Sequence, residues 1–122
     1  MCSCAVVTED ADARLGLAVE RVMIPRGCDR CGGTGYLGRF LLTEMLTLAR
    51  DELAHAVLAR SEAAVIERLA VGAGMVSRWQ RAARAVDEGM TSPAEVRRVL
   101  GFGNEERACV GMAVELPPQR LE

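Results

Sequence analysis

The spacing of apolar residues in the second half of the chain is typical of amphipathic α-helices. Apolar residues recur every three or four positions, which places them on one helical face. This pattern predicts four helices, over residues 51–60, 62–71, 75–88 and 93–100. Ser61 is expected to cap the second helix. Thr91-Ser92-Pro93-Ala94-Glu95 has the sequence of a capping box with proline at the first helical position, and it predicts where the fourth helix begins.

The first half of the chain has shorter apolar runs, which predict strands and turns. Residues 20–25 alternate loosely between polar and apolar and predict a strand that ends at Pro25. Residues 8–19 predict a short helix or turn. The apolar run at residues 40–43 predicts a buried strand of the kind found in a parallel sheet. Residues 104–122 show little periodicity, so we expect a poorly ordered tail.

Together these patterns predict an α+β chain that is mostly helical. We expect a cysteine-rich segment with a core strand at residues 1–46, a four-helix region at residues 47–103, and the tail at residues 104–122. With 122 residues, the chain is one domain or a fragment of one. Hydrophobic residues make up 50% of it but aromatic residues only 3%, so the core must consist mainly of Leu, Val, Ala and Met.

A cysteine pair lies on a glycine-rich turn between the predicted strands. Cys28 and Cys31 are separated by two residues, so both thiolates can reach one metal ion from a tight turn. The glycines that surround them permit positive φ and let the chain fold closely around the sulfurs. We therefore predict two zinc ligands. A redox pair, which would need a thioredoxin-like strand–motif–helix context, and a pair of buried thiols without a ligand role are the alternatives.

A second cysteine pair, Cys2 and Cys4, lies at the start of the sequence. One interpretation is that these thiols complete a four-sulfur zinc site with Cys28 and Cys31. The alternative is that one or both are free thiols beside an incomplete site, because Cys-x-Cys is shorter than the usual ligand spacing and chain ends tend to fray. A closed four-sulfur site leaves no position for water, which predicts structural zinc. Cys109 is expected to be a free thiol.

The composition excludes several kinds of chemistry. All fifteen basic residues are arginine, so the chain contains no P-loop lysine and no Schiff-base lysine. A single histidine excludes a two-histidine metalloprotease site. The net charge of −2 gives no electrostatic reason to bind nucleic acid. No apolar run approaches the ~20 residues of a membrane span, and no signal peptide is evident. Five cysteines favour metal binding in a reducing cytosol over disulfides.

The order of these motifs resembles the C-terminal part of the type II secretion and type IV pilus assembly ATPases. The resemblance rests on Gly-Cys-x-x-Cys-x-x-Thr-Gly-Tyr-x-Gly-Arg at residues 27–39, on Glu-Met-Leu at residues 44–46, and on Glu-Gly-Met-Thr-Ser-x-x-Glu-Val-x-Arg-Val at residues 88–99. It implies a four-cysteine zinc site inserted in a RecA-like motor domain. Arg39 and Glu44 recur in the family motif. Arg39 either anchors the cysteine turn to the motor domain or a neighbouring subunit, or it forms an ordinary surface ion pair.

The resemblance implies a cytoplasmic hexamer that hydrolyses ATP and drives pilin or pseudopilin assembly through inner-membrane partners. Because this chain lacks the nucleotide-binding motifs, we expect a zinc-binding helical module that binds ATP only within a complete family member and is not an enzyme alone. Its partners would be motor subunits or copies of itself and the inner-membrane assembly platform, with no nucleic acid and only indirect membrane contact.

Two other functions are consistent with parts of the sequence. Cys-x-x-Cys-Gly-Gly-Thr-Gly also resembles one repeat of the zinc region of J-domain co-chaperones, which would make the chain a stand-alone cysteine-rich zinc module acting in protein binding or as a chaperone. Only one such repeat is visible, and the residues after it do not follow that pattern. A redox enzyme is the third possibility, and it predicts disulfide reduction without bound metal.

Overall fold

The computed structural model describes residues 1–102, which form a mostly helical α+β arrangement. The described residues contain two β-strands and four α-helices: β1 Val6–Thr8, β2 Val22–Ile24, α1 Glu52–Leu58, α2 Ala63–Gly72, α3 Arg78–Asp87 and α4 Pro93–Leu100. Two short 3-10 helices lie at Asp12–Arg14 and Asp29–Cys31. The predicted tail at residues 104–122, with Cys109, lies outside the described residues. Among residues 1–102, no helix has both the length and the apolar content needed to cross a membrane.

The two strands form a small antiparallel sheet before the cysteine turn. Val7 lies opposite Met23, and the neighbouring pairs continue the same register. Strand β2 confirms the strand predicted at residues 20–25, and the 3-10 helix Asp12–Arg14 confirms the predicted helix or turn between residues 8 and 19. Strand β1 was not predicted, because three residues are too few to show a period of two.

The prediction of a buried strand at residues 40–43 is wrong. The structure has neither strand nor helix there, and Leu41 is 87% exposed. A strand of a parallel sheet is buried only when neighbouring strands pair with its edges and helices cover its faces. The described residues provide no such partner strand, so the apolar run faces solvent, and within it Leu42 packs against the core.

All four predicted helices are present, but three begin later than predicted, α1 and α2 by one residue and α3 by three. Ser61 does not cap α2: its N–H donates to the Ala56 carbonyl at 3.0 Å and so belongs to the end of α1, where Arg60 has φ 54°. Helix α3 begins after Ser77, whose hydroxyl accepts from the Gln80 N–H at 3.3 Å. The Gln80 side chain accepts from the Ser77 N–H at 3.0 Å, which completes a capping box.

Helix α4 has the predicted bounds but only half of the predicted capping box. The Ser92 hydroxyl accepts from the Glu95 N–H at 3.3 Å, and Pro93 occupies the first helical turn. The Glu95 carboxylate does not return to the Ser92 N–H. It binds the Arg98 guanidinium instead, at 2.6 and 2.8 Å. The cap therefore satisfies one free amide of the helix, and an i,i+3 ion pair occupies the carboxylate.

The core joins residues from both halves of the sequence. Residues around strand β2 pack against helices α3 and α4, and the buried members are Leu17, Val19, Val22, Trp79, Ala82, Val86 and Val96. Arg97 is also buried, at 4% exposure, and donates to the Leu15 carbonyl from Nε at 2.9 Å and Nη2 at 2.6 Å. Helix α4 is thereby fixed to the loop after the first 3-10 helix, next to the segment that leads to the cysteine turn.

Candidate metal centre

Four cysteine side chains converge at the junction of the N-terminal segment and the glycine-rich turn. The Sγ atoms of Cys2, Cys4, Cys28 and Cys31 all lie within 4.8 Å of one another. The Cys2–Cys28 and Cys28–Cys31 sulfurs are 3.7 Å apart, and the Cys4–Cys31 sulfurs are 4.0 Å apart. Four sulfurs at about 2.3 Å from a tetrahedral zinc ion are separated by about 3.8 Å. The four thiols are free, and their spacing fits one tetrahedral ion.

The turn that carries Cys28 and Cys31 directs backbone amides at the sulfur of Cys31. The N–H groups of Cys28 and Gly35 both donate to Cys31 Sγ at 3.1 Å. Burial by itself raises the pKa of the Cys31 thiol, but these two amides, with hydrogen bonds from the Cys28 and Cys4 thiols, outweigh it and lower the pKa to about 6. Such amide–sulfur bonds also orient a thiolate toward a metal ion.

The N-terminal segment is held in place by backbone hydrogen bonds to two distant parts of the chain. The Cys2 N–H donates to the Gly35 carbonyl at 2.9 Å, and the Met1 amino group donates to the Met90 carbonyl at 2.7 Å. These contacts place Cys2 and Cys4 against the glycine-rich turn. The structure therefore brings together all four of the cysteines that the sequence analysis named as candidate ligands.

The two N-terminal thiols differ in acidity. A hydrogen bond from the Cys4 backbone lowers the pKa of Cys2. Desolvation, together with hydrogen bonds to the Cys2 and Cys28 thiols, raises the pKa of Cys4 to about 11. A bound cation favours the thiolate form of every ligand. It would therefore offset the free-energy cost of ionising Cys4 next to the other three thiols.

Two glycines are required for the turn to close. Gly27 has φ 83°, and a Cβ added there would lie 2.4 Å from the Gly33 carbonyl oxygen. Gly35 has φ 81°, and a Cβ added there would lie 2.3 Å from Pro25 Cβ. Both distances are far shorter than real contacts between such atoms allow. Gly33 also has positive φ, but a Cβ added there would meet no neighbouring atom. Glycine is therefore favoured at this position only by the backbone conformation.

The cysteine cluster is linked to helix α4 by a pair of hydroxyl groups that the sequence analysis did not identify. Tyr36 follows the cysteine turn directly, and its hydroxyl shares a 2.5 Å hydrogen bond with the hydroxyl of Ser92. Ser92 is also the N-cap of α4. No periodicity or motif links residues 56 positions apart in the sequence.

Arg39 and Glu44, which the resemblance singles out, do not form the ion pair that the sequence analysis considered. The Glu44 carboxylate accepts from the Arg78 N–H at 2.7 Å, at the first turn of α3. A carboxylate at this end of a helix stabilises the free amides and the helix dipole. Within the described part of the chain, Arg39 is exposed and has no hydrogen-bond or ion-pair partner.

The arrangement is suited to holding an ion. Four sulfur ligands fill a tetrahedral coordination shell, and the cluster contains no histidine or carboxylate that could act as a general base. Cys28 precedes a 3-10 helix that ends at Cys31 and leads into glycines, whereas a thioredoxin-like redox pair opens an α-helix. A tetrahedral set of four sulfurs is typical of zinc or iron.

The sequence is similar to a short part of a much longer protein. It is 36% identical over 88 aligned positions to the type IV pilus assembly ATPase PilB of Thermus thermophilus. The alignment covers 68% of this chain but only 10% of the length of that relative. No family model matches the chain, and no solved structure matches it.

Proposed function

We propose that this chain is the C-terminal zinc-binding and helical module of a motor ATPase of the type II secretion and type IV pilus assembly family. The observation that carries the proposal is the similarity to a pilus assembly ATPase over 68% of the chain. The convergence of the four cysteines supports it, because the resemblance implies a four-cysteine site at this place. In this proposal, the described residues are a fragment of a RecA-like motor domain.

Cys2, Cys4, Cys28 and Cys31 would hold the zinc ion. Four protein ligands leave no open position for water, so the ion would serve to connect the N-terminal segment with the glycine-rich turn. Structural zinc contributes ~10–16 kcal/mol of apparent binding free energy in small zinc-finger peptides. A binding free energy of this size is enough to hold the N-terminal segment in place, although its described two-stranded sheet has only three residues in each strand.

Elemental analysis of the purified chain tests the metal assignment. We expect one zinc per chain, and loss of that zinc in the Cys28→Ser variant. Cys109→Ser, which also removes one of the five cysteines, is the matched control and should retain the metal. Iron in place of zinc, or zinc that remains after Cys28→Ser, would contradict the assignment.

The chain would not hydrolyse ATP alone. The sequence has no lysine, and a P-loop requires one on the β- and γ-phosphates. Nucleotide would bind only to a complete family member. We propose that the module acts in the cytoplasm with motor subunits or copies of itself, and that it reaches the inner-membrane assembly platform through protein contacts. ATP turnover by the purified chain above a no-protein blank would contradict this part of the proposal.

A chimaera tests the role in pilus assembly. The aligned segment of the Thermus thermophilus ATPase would be replaced by the matching part of this chain and expressed in cells that lack their own copy. We expect pili to be restored, and we expect the same graft with Cys28→Ser and Cys31→Ser to fail. A graft that is soluble and hydrolyses ATP like its parent, yet restores no pili, would count against the proposed function.

A further inference from the structure

An open apolar groove lies between helix α4 and the segment that follows the cysteine turn. We call it the α4 groove; residues 36–42 form one wall and residues of α4 form the other. Its volume is about 630 Å³, which is within the range of 300–1,000 Å³ usual for ligand sites. Leu37, Leu41 and Val99 line it and are exposed to solvent. Contiguous exposed apolar surface of this kind marks interaction sites on soluble proteins.

Beyond Tyr36, this wall has free backbone hydrogen-bonding groups. Within residues 1–102, no backbone N–H or carbonyl of residues 37–42 takes part in a hydrogen bond. These residues form neither helix nor strand, and all but Leu42 are exposed. Unpaired backbone groups next to apolar side chains are the features that let an extended peptide add as a strand.

The rim of the groove carries positive charge that no carboxylate among the described residues neutralises: the Met1 amino group, which donates to the Met90 carbonyl, and the Arg39 guanidinium. The guanidinium of Arg98 binds the carboxylate of Glu95 through two hydrogen bonds, so these two charges compensate each other. Arg39 lines the same groove and is exposed, with no such partner among the described residues. An exposed guanidinium beside an apolar surface is suited to bind a carboxylate through two parallel hydrogen bonds.

We propose that the α4 groove binds a short extended segment of a partner protein in which apolar residues flank a carboxylate. The apolar side chains contact the exposed leucines and Val99, the peptide backbone pairs with residues 37–42, and the carboxylate binds Arg39. This interaction goes beyond the proposed function and does not depend on which metal the cysteines hold. It requires only the position of the wall, which Tyr36 fixes through its hydrogen bond to Ser92.

Binding of labelled synthetic peptides to the whole chain tests the proposal. Four fluorescein-labelled peptides of equal length serve as probes: alternating Val and Leu with two Glu, the same peptide with Lys for Glu, the same with Gln for Glu, and the acidic peptide with Ser for the apolar residues. Fluorescence anisotropy measures the affinities. We expect the apolar acidic peptide to bind about tenfold more tightly than its lysine counterpart, as one charge-assisted contact predicts. The peptide without apolar residues should not bind.

A charge reversal in the groove provides the decisive variant. Arg39→Glu should weaken binding of the acidic peptide about tenfold and should strengthen binding of the lysine peptide, a gain that also shows that the variant is folded. Arg81→Glu is the matched control: it makes the same change in net charge at an exposed position on α3, and it should leave both affinities unchanged.

Several results would overturn the proposal. These are the absence of binding by any peptide, equal affinities for the acidic and lysine peptides, and identical effects of Arg39→Glu and Arg81→Glu. Sedimentation velocity of the free chain adds a further check. A dimer that Arg39→Glu dissociates would show that a second copy of the chain, and not a separate partner, occupies the groove.

Discussion

Replacing Arg97 with methionine tests how helix α4 is held on the core. The guanidinium donates twice to the Leu15 carbonyl, and it lies 5.7 Å from the ring centre of Trp79 and 4.8 Å from that of Phe102. Methionine has nearly the same helix propensity and preserves the packing of the aliphatic stem, so the variant removes mainly the hydrogen bonds and the cation–π contacts.

The expected loss follows from these contacts. Hydrogen bonds from a charged donor contribute about 1.5–3 kcal/mol, and each cation–π contact about 0.5–1 kcal/mol. Part of this is offset because the variant no longer desolvates a buried charge. We therefore expect the free energy of unfolding to fall by about 2 kcal/mol, which corresponds to a decrease in melting temperature of about 8 °C for a chain of 122 residues.

Urea unfolding followed by the fluorescence of Trp79 measures this change, because the chain has a single tryptophan. Arg98→Met is the control: the neighbouring arginine is exposed and forms a surface ion pair with Glu95, so its loss should cost less than about 1 kcal/mol. If Arg97→Met were no more destabilising than Arg98→Met, the inference that Arg97 fixes α4 to the Leu15 loop would be wrong.

Three further predictions concern the metal centre and its link to α4. Gly35→Ala should weaken zinc binding, measured by chelator competition, far more than Gly33→Ala. Both variants place alanine at a positive φ, which costs about 1–2 kcal/mol, but only Gly35→Ala also creates a steric clash. Equal effects of the two variants would contradict the turn geometry. The apparent zinc affinity should fall at least tenfold from pH 7 to pH 6. The pKa of the Cys4 thiol is raised to about 11, so this thiol must lose its proton before it can bind zinc. An affinity that does not change with pH would refute this prediction. Tyr36→Phe should lower the free energy of unfolding by about 1 kcal/mol without reducing the zinc content, and Ser92→Ala should lower it more because the cap of α4 is lost as well. A double-mutant cycle that finds no coupling between the two hydroxyls would argue against the link.

Local signals in the sequence predicted the helices and the candidate ligands. Serine followed by proline marks the start of α4 because both residues act within the first helical turn, whatever the rest of the fold does. Cys28 and Cys31 were recognisable for a similar reason, since a two-residue spacing fixes their geometry locally. The approach of Cys2 and Cys4 is different: it depends on backbone bonds to Gly35 and Met90, which sequence spacing does not encode.

The features that sequence reasoning missed depend on distant contacts. The apolar run at residues 40–43 has the composition of a buried strand, but composition does not reveal whether partner strands are present. Arg97 occupies a position on an amphipathic helix where arginine is usually solvated, and only the fold shows that a carbonyl and two aromatic rings surround it. The hydroxyl contact between Tyr36 and Ser92 belongs to the same class.

The hairpin formed by β1 and β2 lies within the loop that a metal ion would close between Cys4 and Cys28. Closing a loop of this length removes about 3 kcal/mol of chain entropy from the unfolded state, by analogy with a disulfide. The loop also contains Leu17, Val19 and Val22, which cover Trp79. Loss of the ion would therefore change the environment of Trp79, and the fluorescence of this one tryptophan would report the state of the thiolates.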